Sequence, residues 1–205
     1  MARHGVARQR PARQGEEKGD GMNIKNVVFA IEGTSPLLTH NPSSMRSGES
    51  GPSRKKIPTA VDEAAAGLYV GEDGRFYIPT IAFRNAILYG LRGKKIGKVG
   101  AATKLAPAVF IDPEHEMTMI LDKNGKPAVK YEIDSRRAVV QRQGITRHRP
   151  KFYPWKAMVT LSVDLDIVSS EIVARELDEA GTTAGVGDYR PQRTGWFGKF
   201  RASEA

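Results

Sequence analysis

The 205-residue chain contains no cysteine. That excludes disulfides, thiolate zinc sites, iron–sulfur clusters and cysteine nucleophiles. Aromatic residues make up 7% and hydrophobic residues 40% of the chain, enough for a packed core but not a large one. No apolar run approaches the roughly 18 residues that a membrane span needs. Met1–Gly21 carries several arginines but no apolar centre, so it does not read as a secretory signal. A cytoplasmic protein of a bacterium or a phage-infected cell, without a membrane partner, is the expectation.

Acidic charge is also in short supply. Thirty-two Lys and Arg face twenty-three Asp and Glu, a formal net charge of +9. Such an excess favours a polyanionic partner, although alone it speaks to solubility and non-specific attraction. Catalytic signatures are weak. His4, His40, His115 and His148 are scattered, without HxH or HExxH spacing. Glu114-His115-Glu116 reads as a solvated turn rather than a metal site. Ser35 or Ser44 with His40 and a distant Asp would make a triad only by a geometry that a sequence does not show. His40 on the long loop reads as a general base, a phosphate-contacting side chain or an ordinary loop residue. No cofactor or metal is expected.

Met1–Gly21 has no apolar periodicity and reads as a disordered extension, with Met22 an alternative start. Residues 22–205 then form one domain. Asn26–Gly33 reads as a strand, followed by a long loop, 34–58, rich in Ser, Pro and Gly. Ala60–Ala66 suits a short helix. Gly71–Gly74 turns between strands at Leu68–Val70 and Arg75–Ile78. A helix capped by Thr80 places Phe83, Ile87 and Leu91 on one face and ends at Gly93. Lys94–Lys104 reads as mobile and basic, Pro107–Ile111 and Glu116–Leu121 as strands, and Ala138–Gln141 as a short strand entering a basic segment, Arg142–Lys156. Ala157–Val168 alternates apolar Val159, Leu161, Val163, Leu165 and Ile167 with mostly polar neighbours, which makes it a central strand with one buried face. Ser169 or Ser170 caps a helix burying Val173, Leu177, Ala180 and Ala184. A glycine-rich loop, Gly185–Phe200, leads to a last strand. This order predicts an α+β fold, a βαββαβ sandwich with one helical layer on an antiparallel sheet and long inserted loops.

Gly185-Val186-Gly187 is not a dinucleotide fingerprint: a helix precedes it, Arg190 stands in the third glycine's place and Pro191 follows. The loop instead combines glycines with Tyr189, Arg190, Arg193, Trp196, Phe197, Lys199 and Arg201. Glycines let backbone N–H groups approach phosphates, arginines neutralise them and rings stack on bases. The structural alternative is a loop that buries its rings and solvates its arginines. Two further segments favour binding. Arg136–Lys156 carries Arg136, Arg137, Arg142, Arg147, Arg149, Lys151 and Lys156 with Phe152, Tyr153 and Trp155, and has no acid. Arg84–Lys104 carries Arg84, Arg92, Lys94, Lys95, Lys98 and Lys104, again without an acid. The expected nucleic-acid contacts are Arg84, Lys94, Lys95, Arg142, Arg147, Arg149, Phe152, Tyr153, Trp155, Gly185, Gly187, Arg190, Arg193 and Trp196.

Three segments, in order, resemble the RAMP superfamily, RRM-like proteins that include the backbone subunits of CRISPR effector complexes. They are Gly33-Thr34-Ser35-Pro36-Leu37-Leu38, then Tyr77-Ile78-Pro79 with Phe83-Arg84-Asn85-Ala86-Ile87, and the loop from Gly185 to Phe200. Thr146–Trp155 and GVGDYRP are also similar to a group of uncharacterised phage proteins. The resemblance implies an RRM-like (ferredoxin-like) domain that binds single-stranded RNA, or single-stranded DNA, through its sheet face and loops. It further implies side-by-side assembly along the strand, as a homo-oligomer or a multi-subunit ribonucleoprotein. No acid in Thr34–Asn41 matches the catalytic aspartate of target-cleaving members, so a non-catalytic protein is expected. The alternatives are a phage recombination-accessory or protein-interaction protein, and a metal-independent RNA endonuclease with His40 as base.

Overall fold

The computed structural model describes residues 23–42, 58–140 and 143–205. The expectations for Met1–Gly21, for Ser44 and most of the 34–58 loop, and for Arg142 lie outside the described residues. In chain order the elements are β1 (Ile24–Gly33), β2 (Leu37–Leu38), α1 (Ala60–Ala66), β3 (Tyr77–Pro79), α2 (Ile81–Gly90), β4 (Lys95–Ile96), β5 (Val99–Gly100), α3 (Ala101–Leu105), β6 (Val109–Phe110) and β7 (Met117–Met119). Then come β8 (Glu132–Val140), β9 (Gln143–Phe152), β10 (Lys156–Asp164), α4 (Ser170–Thr183) and β11 (Phe200–Glu204). The fold is mixed α+β with antiparallel sheets. No helix among the described residues is long and apolar enough to cross a membrane.

The main sheet has the order β11-β1-β10-β6. Alternation in β10 sets its register: Ala157, Val159, Leu161 and Val163 are buried and meet Ile31, Phe29, Val27 and Lys25 of β1. The same core takes Phe83, Ala86 and Ile87 of α2 and Val173, Leu177 and Ala180 of α4. The strand is central, as its pattern demands. It ends at Asp164, however, and Ile167 beyond it is exposed. The opposite face of β1 and β10 carries Val28, Ala30, Met158 and Thr160. Phe29 is the only aromatic residue of these two strands, and it is buried. On that face of the sheet the ring among the described residues is the half-buried Phe110 of β6, opposite Ser162 at the sheet's edge.

Several local expectations are corrected. Thr80 makes no side-chain cap; its buried hydroxyl meets that of Thr118 at 2.8 Å, and its N–H donates to the Glu116 carbonyl. Of the strand expected at Leu68–Val70, only a bridge between Val70 and Phe76 forms. Lys94–Lys104, read as mobile, folds into the β4–β5 ribbon and α3. The basic segment after Val140 is a full strand, so β8 and β9 form a hairpin of nine and ten residues. None of the described side chains at 132–138 and 144–149 is buried. With both faces wet, no apolar alternation marks these strands in the sequence.

Leu161→Asp places an unpaired charge in the core, costing several kcal/mol against a total stability of roughly 5–15 kcal/mol. The variant should lose its cooperative thermal transition in circular dichroism. A melt near that of the parent would show that the register is wrong.

Candidate nucleic-acid interface

The hairpin β8–β9 sets Arg136 directly opposite Arg147, and Asp134 opposite Arg149. Like charges facing each other across a ladder repel, and strands with two polar faces specify their register weakly. Acids from neighbouring elements resolve both difficulties. Arg147 donates to Glu63 of α1 at 3.0 Å, and Arg149 pairs with Asp188 of the glycine-rich loop. Lys151 reaches Glu132 at 2.6 Å, and Ser135 meets His148 at 2.7 Å. Helix α1 is held for this by a capping box between Thr59 and Asp62, which leaves Glu63 in its first turn. Arg147 and Arg149, expected on phosphate, thus latch the hairpin to the body.

Similar placements apply to other expected contacts. Arg84 donates to the carbonyls of Ala106 at 2.7 Å and Val109 at 2.6 Å, tying α2 to the end of α3. Lys94 bridges Glu176 at 2.8 Å and Glu179 at 2.7 Å. Both hydrogen bonds raise the Lys94 pKa. Burial alone would raise the Glu176 carboxyl, but hydrogen bonds from Lys94 and Arg175 hold it below the ordinary carboxylate range. Phe152 and Trp155 are core residues; Trp155 donates its indole N–H to the Ser35 carbonyl at 2.9 Å. Their rings have no free face for a base. Tyr153 is exposed, but at the root of the hairpin.

The glycine-rich loop is pinned by backbone bonds. Asp188 N–H donates to the Leu38 carbonyl and Gly198 N–H to that of Pro36, both at 2.8 Å. Gly185 and Gly187 have φ of +65° and +77°. A Cβ on Gly187 would overlap the Leu38 carbonyl oxygen, so this glycine serves close packing on β2. Tyr189 and Thr194 also hold positive φ, +50° and +60°. For a bulky residue such as Tyr189 that conformation is strained. Tyr189 and Trp196 are 44% and 48% exposed, with their rings around the buried Phe197.

Here the hairpin and the loop meet. The Arg136 guanidinium lies 4.6 Å over the Phe197 ring and 6.0 Å from that of Trp196. Arg193 is exposed and makes no ion pair among the described residues. Arg190 donates to the Gly187 carbonyl at 2.8 Å and to Gln192 at 2.9 Å. Burial, and then the nearby Arg193, push its pKa down. Since Asp188 is engaged with Arg149, an anion near Arg190 and Arg193 would relieve that repulsion. Beneath them lies a cleft of ≈ 340 Å³ whose lining includes His40, Tyr69, Asn85, Arg190 and Gln192. The three segments that carry the family resemblance converge on this region. Arg136 and Tyr189 join Arg190, Arg193 and Trp196 as surface residues here, whereas Arg137, next to Arg136 in the strand, lies on the other face of the hairpin against Gly144; only this placement, invisible before β8 is recognised as a strand, singles them out. Among the described residues no cluster of three or more His, Asp or Glu could hold a metal.

Arg149→Ala should lower stability by about 1.5–3 kcal/mol, since a charge-assisted bond is lost and Asp188 is left alone. For a chain of this size that is roughly 3–12 °C in melting temperature. Arg193→Ala should change stability by less than about 0.5 kcal/mol. Equal melting of both variants would dissolve the distinction between latch and free cation. No protein-family model matches the chain, and no curated protein matches it either.

Proposed function

We propose that this protein binds single-stranded nucleic acid, RNA foremost, without cleaving it, along the surface where the β8–β9 hairpin meets the glycine-rich loop. The observation that carries the reading is Trp196. It is a half-exposed ring on a strained loop, with Arg136 on one side and unpaired cationic charge at Arg193 in the same loop. Stacking rings beside cations is the chemistry that single strands require. The finer fold reading is an RRM-like split βαβ domain. It is supported by the sheet order β11-β1-β10-β6, with α2 between β1 and β6 and α4 between β10 and β11. The resemblance to RAMP backbone subunits supports RNA over DNA and side-by-side assembly along the strand. His40 in the neighbouring cleft supports a second reading, metal-independent RNA cleavage. Products from a labelled RNA in the presence of a chelator would favour it; their absence favours the binder.

Affinity for a labelled single-stranded RNA, followed by fluorescence anisotropy, should fall with salt at a slope of about −0.7 per phosphate contacted. The variant Arg193→Ala should flatten that slope by about 0.7 with the melt unchanged. Trp196→Ala should weaken binding by about 1–3 kcal/mol, tenfold or more, at every salt concentration. Salt-independent affinity, or wild-type affinity in both variants, rejects the interface.

A further inference from the structure

The root of the β8–β9 hairpin holds a groove that the surface around Trp196 does not use. The two strands run as a ladder down to the pair Glu132 and Lys151, and there they part. On one side the chain reaches back through Val129–Tyr131 to Pro127, which bridges Leu121; on the other it runs through Tyr153 and Pro154 to Lys156, which also bridges Leu121. The fork between them encloses about 530 Å³. Tyr131 and the buried Phe152 line it with ring centroids 6.3 Å apart, and Phe76 backs Tyr131 at 5.9 Å. Tyr153 stands at its rim, and so does Val129, which at 81% is the most exposed large apolar side chain among the described residues.

The backbone along this fork is unpaired. Ala128 N–H still donates to the Ile120 carbonyl at 2.9 Å, and Glu132 already belongs to the hairpin ladder. Between these two positions, the N–H and C=O groups of Val129, Lys130 and Tyr131 make no hydrogen bond among the described residues. A row of unpaired backbone groups between paired ones is a template for another strand. Charge sets what that strand must carry. Glu132 is engaged by Lys151 at 2.6 Å, and the Asp122 carboxylate accepts the N–H groups of Asn124 at 2.8 Å and Lys126 at 3.0 Å. Lys123 and Lys130 line the same groove, are exposed, and meet no acid among the described residues.

We propose that this fork is a docking site for an extended acidic peptide of a partner protein. The peptide's backbone pairs with Val129–Tyr131, one of its apolar side chains enters the groove beside Tyr131 and Phe152, and its carboxylates meet Lys123 and Lys130. Where a strand is added to an edge, backbone hydrogen bonds supply affinity and pockets for alternate side chains supply specificity. A nucleic-acid strand would satisfy the two lysines, but it carries no row of amides to answer the free backbone groups. Residues 1–22 and 43–57 of this chain are both net basic, so neither segment has the charge that the site asks for. The fork shares no residue with the surface formed by Arg136, Arg193 and Trp196, and the inference does not rest on the nucleic-acid reading.

The test pans the full chain against a display library of random linear peptides and measures the enriched sequences, synthesised with a fluorescent label, by anisotropy. Wild type should enrich peptides that carry an aliphatic or aromatic residue beside Asp or Glu. The double variant Lys123→Glu, Lys130→Glu should bind them about tenfold or more weakly, with the melt unchanged because both side chains are exposed and unpaired. In amide exchange followed by NMR, saturating peptide should slow Val129 and Tyr131, or Lys130, since alternate residues of an edge face an added strand. No enrichment with wild type, or enrichment of sequences without acids, overturns the proposal. So does full affinity in the glutamate variant, or peptide binding that leaves exchange at all three amides unchanged. A single-stranded RNA that displaces the peptide and slows the same amides assigns the fork to nucleic acid and likewise overturns it.

Discussion

The seat of the C-terminal loop on the end of β1 and on β2 is the contact from which the rest of the surface follows. It is largely backbone against backbone, with the Ser35 hydroxyl accepting from the Lys199 N–H at 2.9 Å. Thr34 N–H donates to the Lys199 carbonyl, Gly198 N–H to that of Pro36, and Asp188 N–H to that of Leu38, each at 2.8 Å. At Gly187 there is no room for a Cβ. The seat fixes Asp188, and Asp188 fixes Arg149. Through Arg149 the root of the hairpin is located, and Arg136 is carried over Phe197 and towards Trp196. Without it the hairpin would keep its ladder but lose its place. A strand with two polar faces has no buried side to orient it, so direction must come from such specific pairs.

A net charge of +9 overstates the charge on offer to a ligand. Arg147, Arg149 and Lys94 each meet an acid that is partly or largely buried. Breaking such a pair leaves a carboxylate poorly solvated, which is costly. Their charge is committed within the molecule. Arg193, Lys95, Lys98 and Lys104 meet no acid among the described residues, and their electrostatic attraction remains available to a polyanion. Sorting cations by partner rather than by number moves the candidate surface away from the outer sheet face, to the junction of hairpin and loop and to the ribbon tip.

The sequence is legible where one face is buried and silent where neither is. Val159, Leu161 and Val163 announce β10, and Val173, Leu177 and Ala180 announce α4, because burial imposes period two and period 3.6 respectively. The β8–β9 hairpin carries no such imprint and passes for a basic linker. Its ladder is made by backbone groups that any sequence supplies, and its place is set by acids distant along the chain, Glu63 and Asp188. The same blindness misplaced the rings. Phe152, Trp155 and Trp196 are alike as letters. Gly33 makes room for Trp155, and the Ser35 carbonyl satisfies its indole N–H, whereas Trp196 packs on Phe197 and stays 48% exposed. A composition argument can count aromatic residues near arginines, but it cannot tell which ring has a partner.

Helix α2 relates the glycine-rich loop to the basic β4–β5 ribbon. Its first turn, with Ile81 and Ala82, lines the cleft beside Gly185–Asp188 and Arg190, and its C-terminal end leads through Leu91 and Gly93 into the ribbon. Ten residues of α-helix span about 15 Å, so loop and ribbon are held apart by a rigid element rather than by a tether. Both ends of that element are fastened. The Thr80 N–H bonds to Glu116 at one end, and Lys94 meets two carboxylates of α4 at the other. On the proposed reading, a nucleic-acid strand that runs from the loop to the exposed Lys95 and Lys98 meets them at a fixed separation. The ordering cost is then borne mainly by the ligand, since the protein side is already set. That is a physical reason for a chain with a modest core to fasten a two-residue ribbon so firmly.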